Sequence, residues 1–314
     1  MLNPTNTIKT ISVVTTTYNS EKFIDEFVHR TLKAINECPV KLEKIIIVDD
    51  GSTDLTQEKL NVLSKRHIEV TVLTLSRNFG HHLAILEGLR HAESELVFLI
   101  DSDLEEIPEN FSTIYERFSM EDVDVVYGVQ ERRRGGVIEK LQGVFFYDFF
   151  SRFLGVPIPK NLLTSRLMTK EYVHAILAYP ERQVFLAGIF LDAGFNQVSL
   201  NLNKLRINKS NYTFKKKVLL SLRMATSFSV KPLYYLAAFS FAYFLFSMGT
   251  VSFLFLRQLF IDDALNGWTS IMLSVWISTG ILSVILSIIS VYLAQLLIES
   301  KKRPRSIVRI NEQS

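Results

Sequence analysis

The sequence predicts an α/β fold: a mostly parallel sheet with helices on both faces, followed by a hairpin of two transmembrane helices. Three observations predict it. Up to about Val230, short apolar runs alternate with segments of helical periodicity. Each run is continuous, the pattern of strands buried on both faces of a parallel sheet. Beyond that point the chain turns almost purely apolar, in two stretches that each exceed the roughly 20 residues needed to cross a bilayer.

Ile11 to Val14 reads as the first buried strand, with Thr15, Thr16 and Thr17 behind it. Glu21 to Glu37 has helical spacing, with Phe23, Ile24, Phe27, Val28, Leu32 and Ile35 on one stripe. Ile45 to Val48 is a second strand, ending at Asp49-Asp50-Gly51. Asp54 with Gln57 predicts a helix start of the capping-box type. Val70 to Leu75 is a third strand, Gly80 to His91 a helix, and Leu96 to Ile100 a fourth strand ending at Asp101. Pro108 suits the first turn of the next helix. Val123 to Tyr127 is a fifth strand. Val198, Leu200 and Leu202 alternate with polar residues, the period of a half-buried strand.

The apolar stretches run from Pro232 to Leu256 and from Trp268 to Ile298, neither with a charged residue. Lys215 to Lys217 and Lys231 precede them; Lys301, Lys302, Arg303 and Arg305 follow. Positive charge marks the cytosolic side, so both ends of the hairpin are expected in the cytosol. The polar N-terminus has no basic and apolar regions of a cleavable signal, which leaves the first domain in the cytosol too. The expected organisation is an α/β domain over residues 1–210 and a basic juxtamembrane segment over 211–231. Spans over 232–256 and 268–298 follow, joined by a short non-cytosolic loop over 257–267, and a basic tail over 299–314 ends the chain. This organisation predicts a multi-pass protein of the cytoplasmic (inner) membrane.

Composition excludes some chemistry. A single cysteine, Cys38, supports neither a disulfide framework nor a cysteine zinc site. The net charge of +3 is small, and no nucleic-acid partner is expected.

Asp101-Ser102-Asp103 is a D-x-D directly after a buried strand. Paired carboxylates there suit Mg²⁺ that shares its coordination with substrate phosphates. Asp49-Asp50 ends another strand at the same edge, where open α/β sheets bind ligands. A carboxylate there can accept from a ribose hydroxyl or a base N–H. The helix start at Gly80 offers backbone amides to a phosphate. His81 and His82 are adjacent and so point apart, which favours pocket walls over a metal pair. Arg132-Arg133-Arg134 reads as a basic loop near the same edge, suited either to gripping an anionic acceptor or to a solvated surface. The aromatic run from Leu141 to Leu154 suits either a helix at the membrane surface or packing on the sheet.

These motifs resemble the family-2, GT-A-fold (Rossmann-like) polyprenyl-phosphate glycosyltransferases, which include dolichol-phosphate mannose synthase and the bacterial GtrB-type glucosyltransferases. The matching stretches, in order, are Val13-Val14 through Tyr18-Asn19, Val48 to Ser52, Ser76 to His81, Asp101 to Leu104, Asp124 to Gly128, Pro180-Glu181-Arg182, Gly194-Phe195, Ser227 to Ser229 and Pro232-Leu233. The paired membrane helices are similar to the GtrB type. The resemblance implies an inverting transfer from a nucleotide-sugar donor to a polyprenyl phosphate, in a bacterial setting undecaprenyl phosphate, with Mg²⁺ or Mn²⁺ as cofactor. It implies catalytic Asp101 and Asp103, and a metal set of Asp101, Asp103 and Glu105. It implies a nucleotide-sugar subsite at Thr16, Tyr18, Asp50, Gly80, Ser102 and Gln130. Arg132, Lys140, Arg206 and Ser210 stand where an acceptor phosphate would be met. A homo-oligomer, a tetramer, is implied as well.

Departures from the family pattern are Thr16 in place of Pro, Ser20 in place of Glu, and Gln130 in place of Arg. Glu105 and Glu106 make the loop after the D-x-D more acidic than usual. Asn161 to Ser165 lacks the usual acidic and glycine pattern. A processive polysaccharide synthase is disfavoured, because Trp268 and Trp276 both lie in the apolar part and no Gln-x-x-Arg-Trp motif exists. Two rivals remain: a non-processive enzyme acting on a preformed lipid-linked sugar or glycolipid, and a catalytically silent membrane scaffold.

Overall fold

The computed structural model describes residues 8–130, 162–180, 184–205, 231–261, 267–301 and 304–309. The chain runs β1 (Thr10–Thr17), α1 (Ile24–Asn36), β2 (Lys41–Asp49), α2 (Thr56–Arg66), β3 (Val70–Thr74), α3 (His81–Arg90) and β4 (Leu96–Leu99). It continues α4 (Asn110–Met120), β5 (Val125–Gln130), β6 (Leu162–Thr169), α5 (Lys170–Leu177), α6 (Leu186–Asp192) and β7 (Gln197–Leu202). Two long helices follow, α7 (Lys231–Ile261) and α8 (Trp268–Ser300).

Seven strands form one sheet in the order β3-β2-β1-β4-β6-β5-β7. β1 pairs in parallel with β2 and β4, β2 with β3, and β5 with β7. β6 is antiparallel to both β4 and β5. The mostly parallel expectation holds, with β6 as the addition. Its sequence, Leu162 to Thr169, interleaves Thr164, Ser165 and Arg166 with apolar residues and gives no continuous apolar run. Those polar residues have other work, described below.

The central strands are apolar because helices cover both faces. Ile11, Val13 and Val14 of β1 and Ile45, Ile46, Ile47 and Val48 of β2 are fully buried. Phe27, Val28 and Ile35 of α1 pack into the same core as Phe111 and Ile114 of α4. Burial of such side chains stabilises by about 1.5–3 kcal/mol each. On the other face, Gly88 of α3 lies so close to β1 and β2 that a Cβ there would sit 2.6 Å from Val14 Cγ1.

Two local expectations need correction. α2 begins at Thr56 after Leu55, and no side chain caps it. Asp54 instead accepts from the amides of Thr56 (3.0 Å) and Glu21 (3.4 Å), tying the start of α2 to the chain before α1. Pro108 precedes α4, and its carbonyl accepts from Phe111 N.

The chain divides into two compact units. One holds the sheet and its helices together with residues 304–309; the other holds α7 and α8. The expected basic tail therefore belongs, in part, to the α/β unit. Within α8, Ile277–Ala294 is long and apolar enough to cross a membrane, with a mean hydropathy of 2.1. Among the described residues it alone meets that test; the apolar stretch found in α7, Leu233–Ser247, is shorter. The hydroxyls of Tyr243 and Ser278 lie 2.9 Å apart, a hydrogen bond between the two helices. The aromatic run 141–154, the segment 211–230 and residues 262–266 of the loop 257–267 lie outside the described residues.

Candidate active site

The C-terminal ends of β1, β2 and β4 meet at one edge of the sheet, and the acidic loops expected to converge do converge there. Thr17 pairs with Asp49 in the β1–β2 register. The amide of Ile100, just past β4, donates to Val14 O of β1. Ser102 then donates its hydroxyl to Thr16 O at 2.8 Å. These bonds set the height of the D-x-D loop against β1.

Asp101 and Asp103 are both half-buried on this loop. Asp101 Oδ2 accepts from the Thr164 hydroxyl at 2.8 Å, and Oδ1 lies 3.4 Å from His81 Nε2. Asp103 Oδ1 accepts a local bond from Glu105 N at 2.9 Å. Burial, followed by the neighbouring Asp103 charge, raises the Asp101 pKa to about 6; the Thr164 hydroxyl and Lys204 oppose the shift. Burial also raises Asp103, helped by Glu105 and Glu106. Leu104, between the pair and Glu105, has φ 59 and is buried. A left-handed leucine is strained, and strain of this kind collects at functional loops.

Glu105, expected beside Asp101 and Asp103, follows them on the same loop. Its carboxylate turns to Lys204, with Nζ 3.1 Å from Oε2. Among the described residues no group of three or more His, Cys, Asp or Glu is arranged to hold a metal ion.

Glu106 is an internal post. It is 1% exposed and accepts from Thr164 N (2.9 Å), Ser165 N (2.7 Å) and the Ser165 hydroxyl. Burial and the Asp101 charge raise its pKa, while the Ser165 and Thr164 bonds and Lys204 favour the ionised form. The polar start of β6 is thus explained: Thr164 and Ser165 serve Asp101 and Glu106. Arg166, fully buried beside them, donates to Thr164 O and Leu163 O and lies 3.5 Å over the Phe190 ring. Burial lowers its pKa to about 10, so it stays charged at neutral pH.

Three residues expected to contact the donor make hydrogen bonds within the protein. Both carboxylate oxygens of Asp50 are taken, Oδ1 by Phe79 N at 2.7 Å and Oδ2 by Gly80 N at 2.9 Å. Gly80 therefore turns its amide to Asp50, not outward. Ser102 is 3% exposed, with its hydroxyl given to Thr16. Gly51 (φ 73) permits the tight approach of these loops: a Cβ there would sit 2.6 Å from Arg77 C. Asn19 locks the opposite side: its side-chain oxygen accepts from Thr53 N at 2.9 Å, and its backbone N–H donates to the Ser52 hydroxyl.

Tyr18 stands exposed at the end of β1, beside this edge. Thr16 Oγ1 lies 2.9 Å from His81 Nδ1. His81 thus bridges Thr16 and Asp101 across the cleft, a role the sequence reading did not assign; its position opening a helix after β3 was the available signal. Burial lowers the His81 pKa, against the pull of Asp50, Asp103 and Glu106. His82 turns away, with Nδ1 3.0 Å from Val184 O. Gln130 ends β5, opposite Leu202 of β7. Lys204 was likewise missed. Arg132, Lys140, Arg206 and Ser210 lie outside the described residues.

A sheet of this order, with a D-x-D loop where β4 meets an antiparallel β6, defines a transferase domain of the GT-A type. The chain belongs to glycosyl transferase family 2: the model of that family matches residues 12–176. A Mycobacterium tuberculosis (strain CDC 1551 / Oshkosh) protein whose name assigns it to the glycosyltransferases is 37% identical over 299 residues, covering 95% of this chain and 87% of its own length. The uncharacterized glycosyltransferase YkcC of Bacillus subtilis (strain 168) is 30% identical, covering 95% of this chain and 93% of its own. The bactoprenol glucosyl transferase of Shigella phage SfV is 28% identical, covering 96% of this chain and 99% of its own.

Proposed function

We propose that this glycosyltransferase moves a hexose from a nucleotide-sugar donor to a polyprenyl phosphate, with undecaprenyl phosphate the acceptor. The reaction takes place at the cytosolic face of the cytoplasmic membrane. The observation that carries the reading is the pair Asp101 and Asp103 on a strained loop at the strand ends, each raised above the ordinary carboxylate range. The likeness to a bactoprenol glucosyl transferase along nearly the whole length of both chains supports the acceptor class. The apolar helices α7 and α8 support a lipid setting, with both spans crossing and both termini in the cytosol.

The residues fit a divalent cation, Mg²⁺ or Mn²⁺. Asp101 and Asp103 carry excess negative charge that Lys204 offsets only in part, and two carboxylates with substrate phosphates are a common Mg²⁺ donor set. Bound there, the ion supplies Lewis-acid relief of the charge on the departing nucleoside diphosphate. The chain does the rest. His81 and Thr164 orient the Asp101 carboxylate from two sides. Tyr18 offers an exposed ring to the base. A phosphate oxygen of the acceptor attacks the anomeric carbon as the bond to the diphosphate breaks, which inverts that carbon. The acceptor is already anionic at neutral pH, so positioning and charge neutralisation matter more than a strong base. Arg132, Lys140, Arg206 and Ser210 supply the acceptor contacts in this reading, and the enzyme acts as a tetramer.

The test is a panel of nucleotide sugars scored by transfer to undecaprenyl phosphate with purified protein and Mg²⁺. One donor is expected to give a lipid-phosphate monosaccharide, and Asp103→Ala is expected to lose at least about a hundredfold in rate. Full activity of Asp103→Ala would sink the mechanism. Transfer only to a preformed lipid-linked sugar would move the acceptor to that class.

A further inference from the structure

The last described segment of the chain, residues 304–309, lies on the α/β unit along β3, the strand at one end of the sheet. Val308 pairs antiparallel with Leu75. Ser76 N donates to Ile307 O at 2.8 Å, and Arg309 N donates to Thr74 O at 2.7 Å. The Arg309 guanidinium adds a bond to Ser76 O at 3.2 Å. The Ser306 hydroxyl donates to Glu87 of α3, and Arg305 donates to Tyr179 O after α5. One hexapeptide thus engages β3, α3 and the end of α5.

The contacts stop where the donor site begins. Ser76 leads directly into Arg77 to Gly80. Arg77 stacks over Phe79 at 4.1 Å, and its backbone presses on Gly51. The amides of Phe79 and Gly80 fix the Asp50 carboxylate, and His81, next in line, bridges Thr16 and Asp101. The tail, the loop 76–80, Asp50 and Asp101 form one continuous hydrogen-bonded and packed series. An edge strand gains its rigidity from a neighbour on each side; β3 has β2 on one side and the tail on the other.

We propose that residues 304–309 are a positioning element of the donor site: the tail closes the sheet edge and so fixes the loop 76–80 that shapes the nucleotide-sugar pocket. The chain leaves the α/β unit for α7 and α8 and returns to complete the same unit. The donor pocket is therefore finished only after the apolar helices have been made. This rests on the donor-site reading above.

Two variants of the full-length protein separate the cases. Arg309→Pro removes the amide that bonds Thr74 O; Arg309→Ala keeps that amide and removes only the guanidinium. Hydrogen–deuterium exchange over residues 74–80 is read in both, with the peptide covering β1 as an internal control for folding. For Arg309→Pro, exchange over 74–80 is expected to quicken at least about tenfold while β1 stays protected. The KM for the donor is expected to rise about five- to tenfold with kcat within about twofold. Arg309→Ala, which loses only the bond to Ser76 O, is expected to change both in the same direction and by less than Arg309→Pro. Unchanged exchange over 74–80 in Arg309→Pro overturns the proposal whether or not a donor has been found. Quickened exchange with an unchanged donor KM also overturns it. If wild type uses no nucleotide sugar, the donor reading fails and the exchange result still decides whether the tail orders the loop.

Discussion

The ammonium of Lys204 lies 3.1 Å from Glu105 Oε2 and 3.9 Å from Glu106 Oε1, a cation set among the carboxylates of the D-x-D loop. The backbone repeats the link: Leu205 N donates to Glu105 O at 2.8 Å. Burial works to lower the Lys204 pKa, but Glu106, Glu105 and Asp103 together carry it above its ordinary value. Lys204→Met leaves those carboxylates without their counter-ion. It is expected to cost about 1–3 kcal/mol, since the pair is only partly buried, read as a lowered urea midpoint. Glu105→Gln, which keeps the acceptor oxygen, is expected to cost less. Equal stability of Lys204→Met and wild type would deny Lys204 this role.

Glu106 is a structural carboxylate beside the proposed metal pair Asp101 and Asp103. Its oxygens satisfy two backbone amides and a hydroxyl of β6, all buried. Glu106→Ala strands those donors and is expected to destabilise by about 2–4 kcal/mol. Glu106→Gln retains one acceptor and is expected to lose about half as much. Chemical denaturation of both variants beside Asp103→Ala checks the assignment: Asp103→Ala is expected to lose activity with little change in stability, the opposite pattern.

The turn at Gly51 has no room for a side chain. Its φ of 73 and the Arg77 backbone 2.6 Å from a built Cβ both oppose substitution. Gly51→Ala is expected to cost about 2–3 kcal/mol and to push the loop 77–80 away from Asp50. A thermal melt reads the first effect, and a weaker affinity for a nucleoside diphosphate reads the second.

Asp101 makes the metal-free protein less stable as pH rises. Its folded pKa of about 6 lies above the ordinary 3.8. Between those values the folded state binds more protons than the unfolded chain, so stability falls with rising pH across that window. The groups facing it are Asp103, Glu105 and Lys204, with His81 at 3.4 Å. In buffer with a chelator, Asp101→Asn is therefore expected to be more stable than wild type at pH 7.5, and the gain is expected to shrink toward pH 4. A gain that grows toward acid would contradict the assignment.

Local pattern made much of this molecule legible. Continuous apolar runs marked β1, β2 and β4, because a strand covered on both faces needs an apolar residue at nearly every position. The alternation at Val198 to Leu202 marked β7 for the opposite reason, a half-covered strand. β6 was not legible. Its Thr164, Ser165 and Arg166 break the apolar run, and they do so to serve groups on a different loop. The helix start at Asp54 was misread because its carboxylate found partners on both sides of the turn.

The sequence by itself determined the alternating α/β plan, the placement of both acidic loops at one sheet edge, and the long apolar helices that follow. Those features are written in the spacing of neighbouring residues. Only the tertiary structure decided which carboxylates face the site and which are internal posts. Asp50 and Glu106 look as reactive in sequence as Asp101 and Asp103, yet Asp50 is consumed by amides of the loop after β3 and Glu106 by Ser165, 59 residues away in the chain. The partners of Lys204, His81 and the tail were invisible for the same reason; Ser306 meets Glu87 across 219 residues. Burial of a face is encoded locally by period, whereas the partner of a charged group is set by what folding brings within hydrogen-bond distance.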